Sequence, residues 1–345
     1  MLPTSLRGCL ALALAIAAIS IALPAGPAHA ADSAKLRVQL RWFHQAQFAG
    51  YYVAEAHGFN GHPGEVELTP SGPGLDSMEL LAKGETDVAI GWLADALRAR
   101  MRGADIVNVA QVFRRSGMGV ACVKRSGVGS PSDLAGREVG VWKIGDEISV
   151  HLWLQRARVA ENAVRYVQQA ADAQDVISGR VPCGTVMFYN EYWSLLGAGF
   201  KSSDLYIVRF GSAGLGMLED GLYVRRERLE DPAFHARVAN FVAASAAGWK
   251  YARAHPDKAL ALTLAKSPAL DPTHQRRMLQ SVLDLIPADS PFGQLDRAEY
   301  QRTVEIYAHG SPNAEEIRAA AVGGWTDRIR AEASSAKRRA AQAAR

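Results

Sequence analysis

Three side chains that could hold a polar ligand, Tyr189, Asn190 and Glu191, follow a segment typical of a buried strand, GTVMF. We predict that this strand continues to Tyr192, so that the amide and the carboxylate lie at its carboxyl end, where α/β sheets bind ligands. A buried carboxylate needs a hydrogen-bond donor, and a polar ligand can supply one. Glu191 alone is also compatible with an exposed glutamate at a strand end, but its aromatic neighbours favour binding.

Four further residues are candidates because of their positions along the chain. Trp92 ends the segment TDVAIGW and either walls a cleft or packs under the next helix. Asp220 either accepts a hydrogen bond from a ligand or caps a turn before Gly221. Ser116 and Gly117 precede a predicted strand, where their backbone groups could touch a ligand.

Common catalytic patterns do not occur in the sequence. It contains no G-x-S-x-G, H-E-x-x-H or P-loop motif, so hydrolysis and nucleotide-driven chemistry have no recognisable starting point. Glu219 and Asp220 are adjacent carboxylates that need not converge on one reacting atom, which leaves acid–base catalysis unsupported. We expect a binding protein that is not an enzyme and needs neither a cofactor nor a metal.

Residues 1–30 have the pattern of a cleaved secretory signal: Arg7, an apolar run from Leu10 to Leu23, and small residues that end at Ala30. The apolar run is shorter than the roughly 20 residues of a membrane-spanning helix. Cys9 precedes this run, whereas a lipid-modified cysteine would follow it. We therefore expect a free periplasmic protein.

After removal of this segment the chain carries little net charge and two cysteines. The formal charge of +4 resides mainly in Arg7 and in residues 331–345, which hold four bases and one acid. The nearly neutral remainder argues against nucleic-acid binding, and residues 331–345 are expected to be a frayed basic tail. Cys122 and Cys183 either form one disulfide or remain two buried thiols.

Strand-like and helix-like segments alternate along the chain, which predicts mainly parallel sheets flanked by helices. The pattern restarts at REVGVW after a stretch rich in Pro and Gly, and helices dominate from Pro232 onward. We predict an α/β protein of two lobes, with hinge strands near Val123 and Tyr223. Residues 31–123 and 224–330 would form lobe 1, and residues 124–223 would form lobe 2.

Five blocks, taken in order, resemble the periplasmic binding proteins for thiamine pyrimidine precursors, which are related to the fungal hydroxymethylpyrimidine phosphate synthases. The similarity runs from about Leu36 to about Ala308 and implies a type II periplasmic binding protein fold. It also implies a monomer that delivers a small-molecule ligand, such as an aminopyrimidine, to an ABC permease of the inner membrane. The blocks are RWFHQAQFAGYYVAEAHGF, RRSGMGVACVKRSGVGSPSDLAGREVGVW, VMFYNEYWSLLGAGF, MLEDGLYVRRERL and GWKYARAHPDKAL.

The resemblance implies that Trp42, Gln45, Gln47 and Tyr51 face the cleft and that Glu191 recognises the exocyclic amine of a pyrimidine. Trp42 and Tyr51 are also compatible with core positions, but the Gln and His residues beside them favour the site. Aromatic faces can stack on a planar heterocycle, and amides offer both a donor and an acceptor to its ring nitrogens. These residue types therefore suit the ligand class that the resemblance implies.

Two other functions are compatible with the same architecture: a pyrimidine synthase and a binding protein for another small solute. The synthase reaction needs a lysine near its cofactor and a cysteine-rich loop, but the segment TPSGPGLDSM contains no lysine or histidine and GSAGLGMLEDG contains no cysteine. Sulfonate, nitrate and riboflavin-precursor binders share the architecture. An anion would need bases or helix N-termini in the cleft, and only Lys143 and Arg114 lie near it, which favours a neutral or cationic heterocycle.

Overall fold

Two five-stranded sheets form the framework of the part of the chain that the structure, a computed structural model, describes: residues 35–59, 64–142, 147–309 and 311–333. Strands and helices mostly alternate along the first two thirds of the described chain, as the sequence pattern predicts. The predicted signal peptide, Lys143 and most of the predicted tail lie outside the described residues. Within them, no helix has the length and apolar character needed to cross a membrane.

The first sheet, sheet A, has the strand order β2-β1-β3-β10-β4. β1 pairs in parallel with β2 and β3, whereas β10 is antiparallel to both of its neighbours, β3 and β4. Four strands therefore run in one direction and β10 runs against them. The strands are β1 (Leu36–Gln39), β2 (Val66–Thr69), β3 (Val88–Gly91), β4 (Ile106–Gln111) and β10 (Gly221–Arg225).

The second sheet, sheet B, repeats this arrangement with the order β7-β6-β8-β5-β9. β6 pairs in parallel with β7 and β8, and β5 is the reversed strand, antiparallel to β8 and β9. The strands are β5 (Met118–Val123), β6 (Glu138–Val141), β7 (Arg165–Gln168), β8 (Cys183–Met187) and β9 (Leu205–Arg209).

The chain crosses between the sheets twice, before each reversed strand. It leaves sheet A after β4 and enters sheet B with β5, so the first crossing is residues 112–117; it returns through residues 210–220 into β10. The predicted crossings near Val123 and Tyr223 therefore lie too far along the chain, because β5 belongs to sheet B and β10 to sheet A. Strand-like patterning marks a strand but carries no information on which sheet it joins.

Eleven helices of the α type are assigned within the described residues, and several begin as their sequences predict. The Asp76 carboxylate accepts hydrogen bonds from the backbone of Met78 and Glu79 and caps the second helix. Asp231 and Asp271 each cap a helix that has proline at its first position. The helices are α1 (Ala49–Ala56), α2 (Ser77–Lys83), α3 (Leu93–Met101), α4 (Ile148–Arg156), α5 (Gln174–Ile177), α6 (Glu191–Gly197), α7 (Pro232–Ala254), α8 (Pro256–Lys266), α9 (Pro272–Leu285), α10 (Arg297–Ala308) and α11 (Ala314–Ala321).

Two glycines allow α1 and α7 to pack in close contact. A Cβ atom at Gly248 would lie 2.0 Å from the carbonyl oxygen of Gly50, and a Cβ at Gly50 would lie 2.2 Å from the Trp249 ring. Because α1 follows directly on the short 3-10 helix Ala46–Phe48, this contact fixes the segment that carries Gln45 and Gln47.

Cys122 and Cys183 form a disulfide. They face each other on the antiparallel strands β5 and β8, and both are fully buried. Of the two states left open by the sequence, the structure therefore has the bridged one. The bond joins the reversed strand of sheet B to a strand whose opposite end carries the candidate site.

Candidate ligand-binding site

A cavity with about 670 Å³ of empty space, part of it open to solvent, lies between the carboxyl ends of strands from both sheets. Sheet A contributes residues that follow β1 and β3. Sheet B contributes residues of β5, β6 and β8 and of the segments that follow β6, β7 and β8. The lining residues are Arg41, Trp42, Gln45, Gln47, Trp92, Met118, Val141, Trp142, Ala171, Thr185, Met187, Tyr189, Asn190 and Glu191.

Three tryptophans line this cavity, each placed by the end of a strand. Trp92 follows β3 directly, Trp142 follows β6 directly, and Trp42 lies three residues beyond β1. All three are partly exposed and pack against the buried core. Of the two positions predicted for Trp92, in a cleft wall or under the next helix, the structure has the first. Trp142 was not among the predicted site residues, although its position in REVGVW matches that of Trp92 in TDVAIGW.

A chain of hydrogen bonds orients the polar residues on the sheet A side. Gln45 Nε2 donates to Gln47 Oε1 over 2.6 Å, and Gln47 Nε2 donates to Asp220 Oδ2 over 2.7 Å. Trp92 Nε1 donates to the other oxygen of Asp220 over 3.2 Å. Asp220 is 1% exposed, so it lies behind the cavity wall and positions Gln47 and Trp92. Burial raises the pKa of Asp220 to about 6 despite these donors.

Arg41 is a lining residue that the sequence analysis did not single out. Its guanidinium lies 3.7 Å from the centre of the Trp92 ring, a cation–π geometry. The same group forms an ion pair with Asp95, which also pairs with Arg98. Arg41 is therefore held by a carboxylate and by an indole face at the edge of the cavity.

Glu191 is the central polar residue on the sheet B side. Its carboxylate accepts hydrogen bonds from the backbone nitrogen of Met187 (2.8 Å) and from Asn190 Nδ2 (2.7 Å). Burial outweighs these donors and raises the pKa of Glu191 to about 7. The predicted strand through Tyr192 is too long: β8 ends at Met187 and α6 begins at Glu191. The turn between them, not a strand, directs the carboxylate into the cavity wall.

Asn190 is held from both sides of the cleft. While Nδ2 donates to Glu191, Oδ1 lies 2.8 Å from Nε2 of His274, a residue of α9. Burial lowers the pKa of His274, so the ring is neutral near pH 7 and donates its Nε2 hydrogen to the amide oxygen.

The remaining polar lining residues are hydroxyls of β8 and of the turn after it. Tyr189 packs edge-on against Phe113 at 6.0 Å. Burial raises its pKa well above the usual value, so the hydroxyl remains protonated. Thr185 Oγ1 is buried and has no hydrogen-bond partner among the described residues. An unpaired hydroxyl in a cavity wall is a group that a bound ligand or water can satisfy.

Four predicted site residues do not line the cavity. Tyr51 is buried in the core, where it stacks on Phe241 at 5.9 Å. Ser116 Oγ and Gly117 N both donate to the carboxylate of Glu219, over 2.5 and 2.8 Å. Those two residues, with Glu219, connect the two crossing segments.

Asp220, the fourth predicted site residue that does not line the cavity, is buried behind the cavity wall. Helical spacing alone does not show that Tyr51 points away from the cleft. Which face of α1 is buried depends on where α7 packs.

Seven lining residues were missed in the sequence analysis. Trp142 directly follows β6 and Arg41 lies two residues beyond β1, so a systematic search of strand ends would have found both. Thr185 is the middle residue of β8, and such a search would have missed it. The apolar ones offer no such signal, because they look like any buried strand residue. These are Met118, Val141, Ala171 and Met187.

A family model described as NMT1/THI5 like matches residues 45–259, more than half of the chain. The chain belongs to the NMT1/THI5-like family. The matched range contains every predicted site residue except Trp42, and it spans both crossings between the sheets.

Relatives of this NMT1/THI5-like chain include binding proteins and an enzyme. The formylaminopyrimidine-binding protein of Halalkalibacterium halodurans is 22% identical over 278 residues, which cover 78% of this chain and 83% of that protein. The alkanesulfonate-binding protein SsuA from Xanthomonas axonopodis pv. citri, solved with MOPS bound, superposes with a TM-score of 0.64 at 15% identity, over 86% of this chain and 99% of that chain.

The desulfurization enzyme DSZB superposes with a TM-score of 0.61 at 13% identity, over 88% of this chain and 100% of that chain. The expected two-lobe periplasmic binding protein fold is confirmed. The fold alone leaves the ligand open, since such different proteins share it.

The NMT1/THI5-like chain places neither a described cysteine nor a described cluster of metal ligands at this cavity. Its described cysteines are joined to each other, and neither lines the cavity. The described residues also hold no group of three or more His, Cys, Asp and Glu side chains arranged to bind a metal ion. What converges on the cavity is a set of indole faces, amides and buried carboxylates.

Proposed function

We propose that this protein is the solute-binding component of an ABC importer and that it captures an aminopyrimidine in the cavity between its two sheets without transforming it. The observation that carries the proposal is the pairing of three indole walls with a buried carboxylate, Glu191, in one cavity. An amino-substituted aromatic ring complements both features.

The shape of the cavity supports a flat ligand. Trp42, Trp92 and Trp142 present aromatic surface from both sheets, and stacking on such surface favours planar heterocycles. Gln45 and Gln47 add an amide edge that can pair with ring nitrogens.

The charge distribution supports a neutral or cationic ligand over an anion. The N-terminus of α6 meets the cavity wall at Glu191, so a carboxylate occupies the position at which an anionic ligand would bind a helix dipole. Arg41, the base that lines the cavity among the described residues, is paired with Asp95. A sulfonate would therefore meet a buried carboxylate, and the base nearest to it already has Asp95 as a partner, which it shares with Arg98.

The formylaminopyrimidine-binding relative, at 22% identity, supports the same ligand class. We further propose that the lobes are built around sheets A and B and rotate about residues 112–117 and 210–220. Closure of such lobes creates the surface that a permease recognises. A free periplasmic monomer, exported by residues 1–30, is the form we expect to act.

Isothermal titration calorimetry with a formylaminopyrimidine and with an alkanesulfonate tests the proposal. We expect binding of the pyrimidine alone, weakened about tenfold to a hundredfold in Glu191→Gln because a charged hydrogen-bond acceptor is lost. Trp42→Ala should weaken binding to a similar extent. The control is Glu67→Gln, on the exposed face of β2. Preference for the sulfonate, turnover of the pyrimidine, or parent-like binding by both site variants would refute the proposal.

A further inference from the structure

Helix α9 contacts the site segment on the sheet A side through Gln275. The buried side chain of Gln275 accepts a hydrogen bond through Oε1 from the backbone nitrogen of Ala46 over 2.7 Å. Ala46 lies between Gln45 and Gln47, the two amides that line the cavity. The first turn of α9 therefore holds the backbone of one half of the site.

The neighbouring residue on α9 contacts the other half of the site. His274 donates from Nε2 to Asn190 Oδ1 over 2.8 Å. Asn190 in turn donates from Nδ2 to Glu191, so His274 also restricts the orientation of the Glu191 carboxylate. Two consecutive residues of one helix thus hold polar groups that belong to opposite sides of the cavity.

The same face of α9 meets α6 again two turns later. Trp193 Nε1 donates to Ser281 Oγ over 2.9 Å, and the Arg277 guanidinium lies 5.4 Å from the centre of the Trp193 ring. Residues 274, 277 and 281 share one helical face at the spacing of three and four residues. We call these interactions of His274, Arg277 and Ser281 with Asn190 and Trp193 the α6–α9 contact.

The α6–α9 contact joins the two halves of the molecule. Helix α9 packs on α8 and on the 3-10 helix before α1, which belong with sheet A, whereas α6 directly follows β8 of sheet B. The peptide chain connects the sheets only through its two crossings, residues 112–117 and 210–220. A rotation of one sheet relative to the other about those crossings would therefore displace α6 relative to α9 and alter the α6–α9 contact.

We propose that α9 helps to set lobe closure, with His274 and Gln275 as positioning residues for the ligand. This inference rests on the proposed function. In the closed form, His274 fixes Asn190 and hence the orientation of Glu191, while Gln275 fixes the Gln45–Gln47 segment. The contact then lowers the rate at which the closed lobes open and release the ligand, with little influence on encounter.

Stopped-flow tryptophan fluorescence with a formylaminopyrimidine separates these rates in the full-length protein. We expect His274→Ala to raise the dissociation rate about three- to tenfold, the effect of one lost hydrogen bond, and to change the association rate less than twofold. His274→Gln retains a donor and should restore most of the slow release. Ser281→Ala, which removes the acceptor of Trp193, should also speed release.

The matched control is Arg276→Ala on the same helix, whose side chain pairs with the exposed Asp257 and should leave both rates unchanged. Dissociation from His274→Ala and Ser281→Ala at the parent rate would overturn the inference, as would equal slowing of association. If the parent binds no pyrimidine, the proposed function fails instead, and hydrogen exchange of the unliganded protein then tests the contact. Exchange in α6 should be faster in His274→Ala than in Arg276→Ala, and equal exchange would overturn the inference.

Discussion

Gln47 and Asp220 are separated by 173 residues in the sequence, yet Gln47 Nε2 lies 2.7 Å from Asp220 Oδ2. Asp220 has a φ of +41°, an unusual backbone conformation for a residue other than glycine. It immediately precedes β10, so the return crossing ends in a strained residue whose carboxylate holds one wall of the cavity. The return crossing and the candidate site are therefore joined by one side chain.

Asp220→Asn should weaken ligand binding about tenfold or more, although Asp220 does not line the cavity. The amide replaces a charged acceptor that holds both Gln47 and Trp92, and hydrogen bonds to charged groups contribute about 1.5–3 kcal/mol. Titration calorimetry measures the loss. The free energy of unfolding should change little or rise at pH 8, because the substitution removes a buried charge. Parent-like affinity would show that Asp220 does not position these residues.

The stability difference between Glu191→Gln and the parent should change with pH. The pKa of Glu191 is raised from 4.5 to about 7 in the folded protein, so the folded state binds more protons than the unfolded state between these values. The parent therefore loses stability from this group as pH rises through that window. Glu191→Gln should gain about 1–3 kcal/mol relative to the parent between pH 5 and pH 8.

Urea unfolding at both pH values measures this gain, and Glu67→Gln serves as the exposed control. Comparison with the parent removes the contributions of other titrating groups, including His44 and His274, whose lowered pKa values act in the opposite direction. A difference that does not vary with pH would contradict the burial of the Glu191 charge.

Ligand affinity should decrease as pH falls below about 7. Protonation of Glu191, whose pKa is raised to about 7 by burial, removes the charged acceptor for an amino group. Calorimetry with a formylaminopyrimidine from pH 8 to pH 5.5 measures the decrease. The same titration with Glu191→Gln should show a weaker dependence. An identical pH profile in both proteins would assign the effect to the ligand or to another residue.

The double variant Cys122→Ser, Cys183→Ser should unfold more easily while keeping its ligand. The bond closes a loop across a sequence separation of 61 residues, and loop-closure entropy assigns about 4 kcal/mol to a loop of this length. Urea unfolding measures the loss. Neither cysteine lines the cavity, so affinity at moderate temperature should remain within about twofold. A large loss of affinity without a loss of stability would contradict this separation.

Gly248→Ala should destabilise the fold by more than about 1 kcal/mol, because its Cβ would lie 2.0 Å from the Gly50 carbonyl oxygen and overpacking forces α1 and α7 apart. Gly197→Ala is the matched control, since a Cβ there meets no atom within 4 Å. Thermal unfolding should show a lower midpoint for the first variant and an unchanged or higher one for the second. Equal midpoints would mean that the helices can separate without cost.

Much of the site could be predicted from the sequence, because strand ends are visible in it. Trp92 directly follows a strand, and Trp42 and Glu191 lie three and four residues beyond strand ends; the segment after a strand in an α/β protein is a ligand-facing position. Seven of the eleven predicted residues line the cavity. Tyr51 was predicted to face the cleft but lies in the core. A helix with apolar residues on several sides gives no single outward face from which its orientation could be predicted.

The local chemistry of the chain determined its ten strands, the aspartate caps of its helices and the residue types at strand ends, because these depend on near neighbours along the sequence. Which sheet each strand joins, that Cys122 meets Cys183, that Asp220 supports Gln47, and that α9 reaches both halves of the cavity were decided only by the tertiary structure. Those relationships join residues far apart in sequence, and pairing at such distances is set by how all the elements pack together.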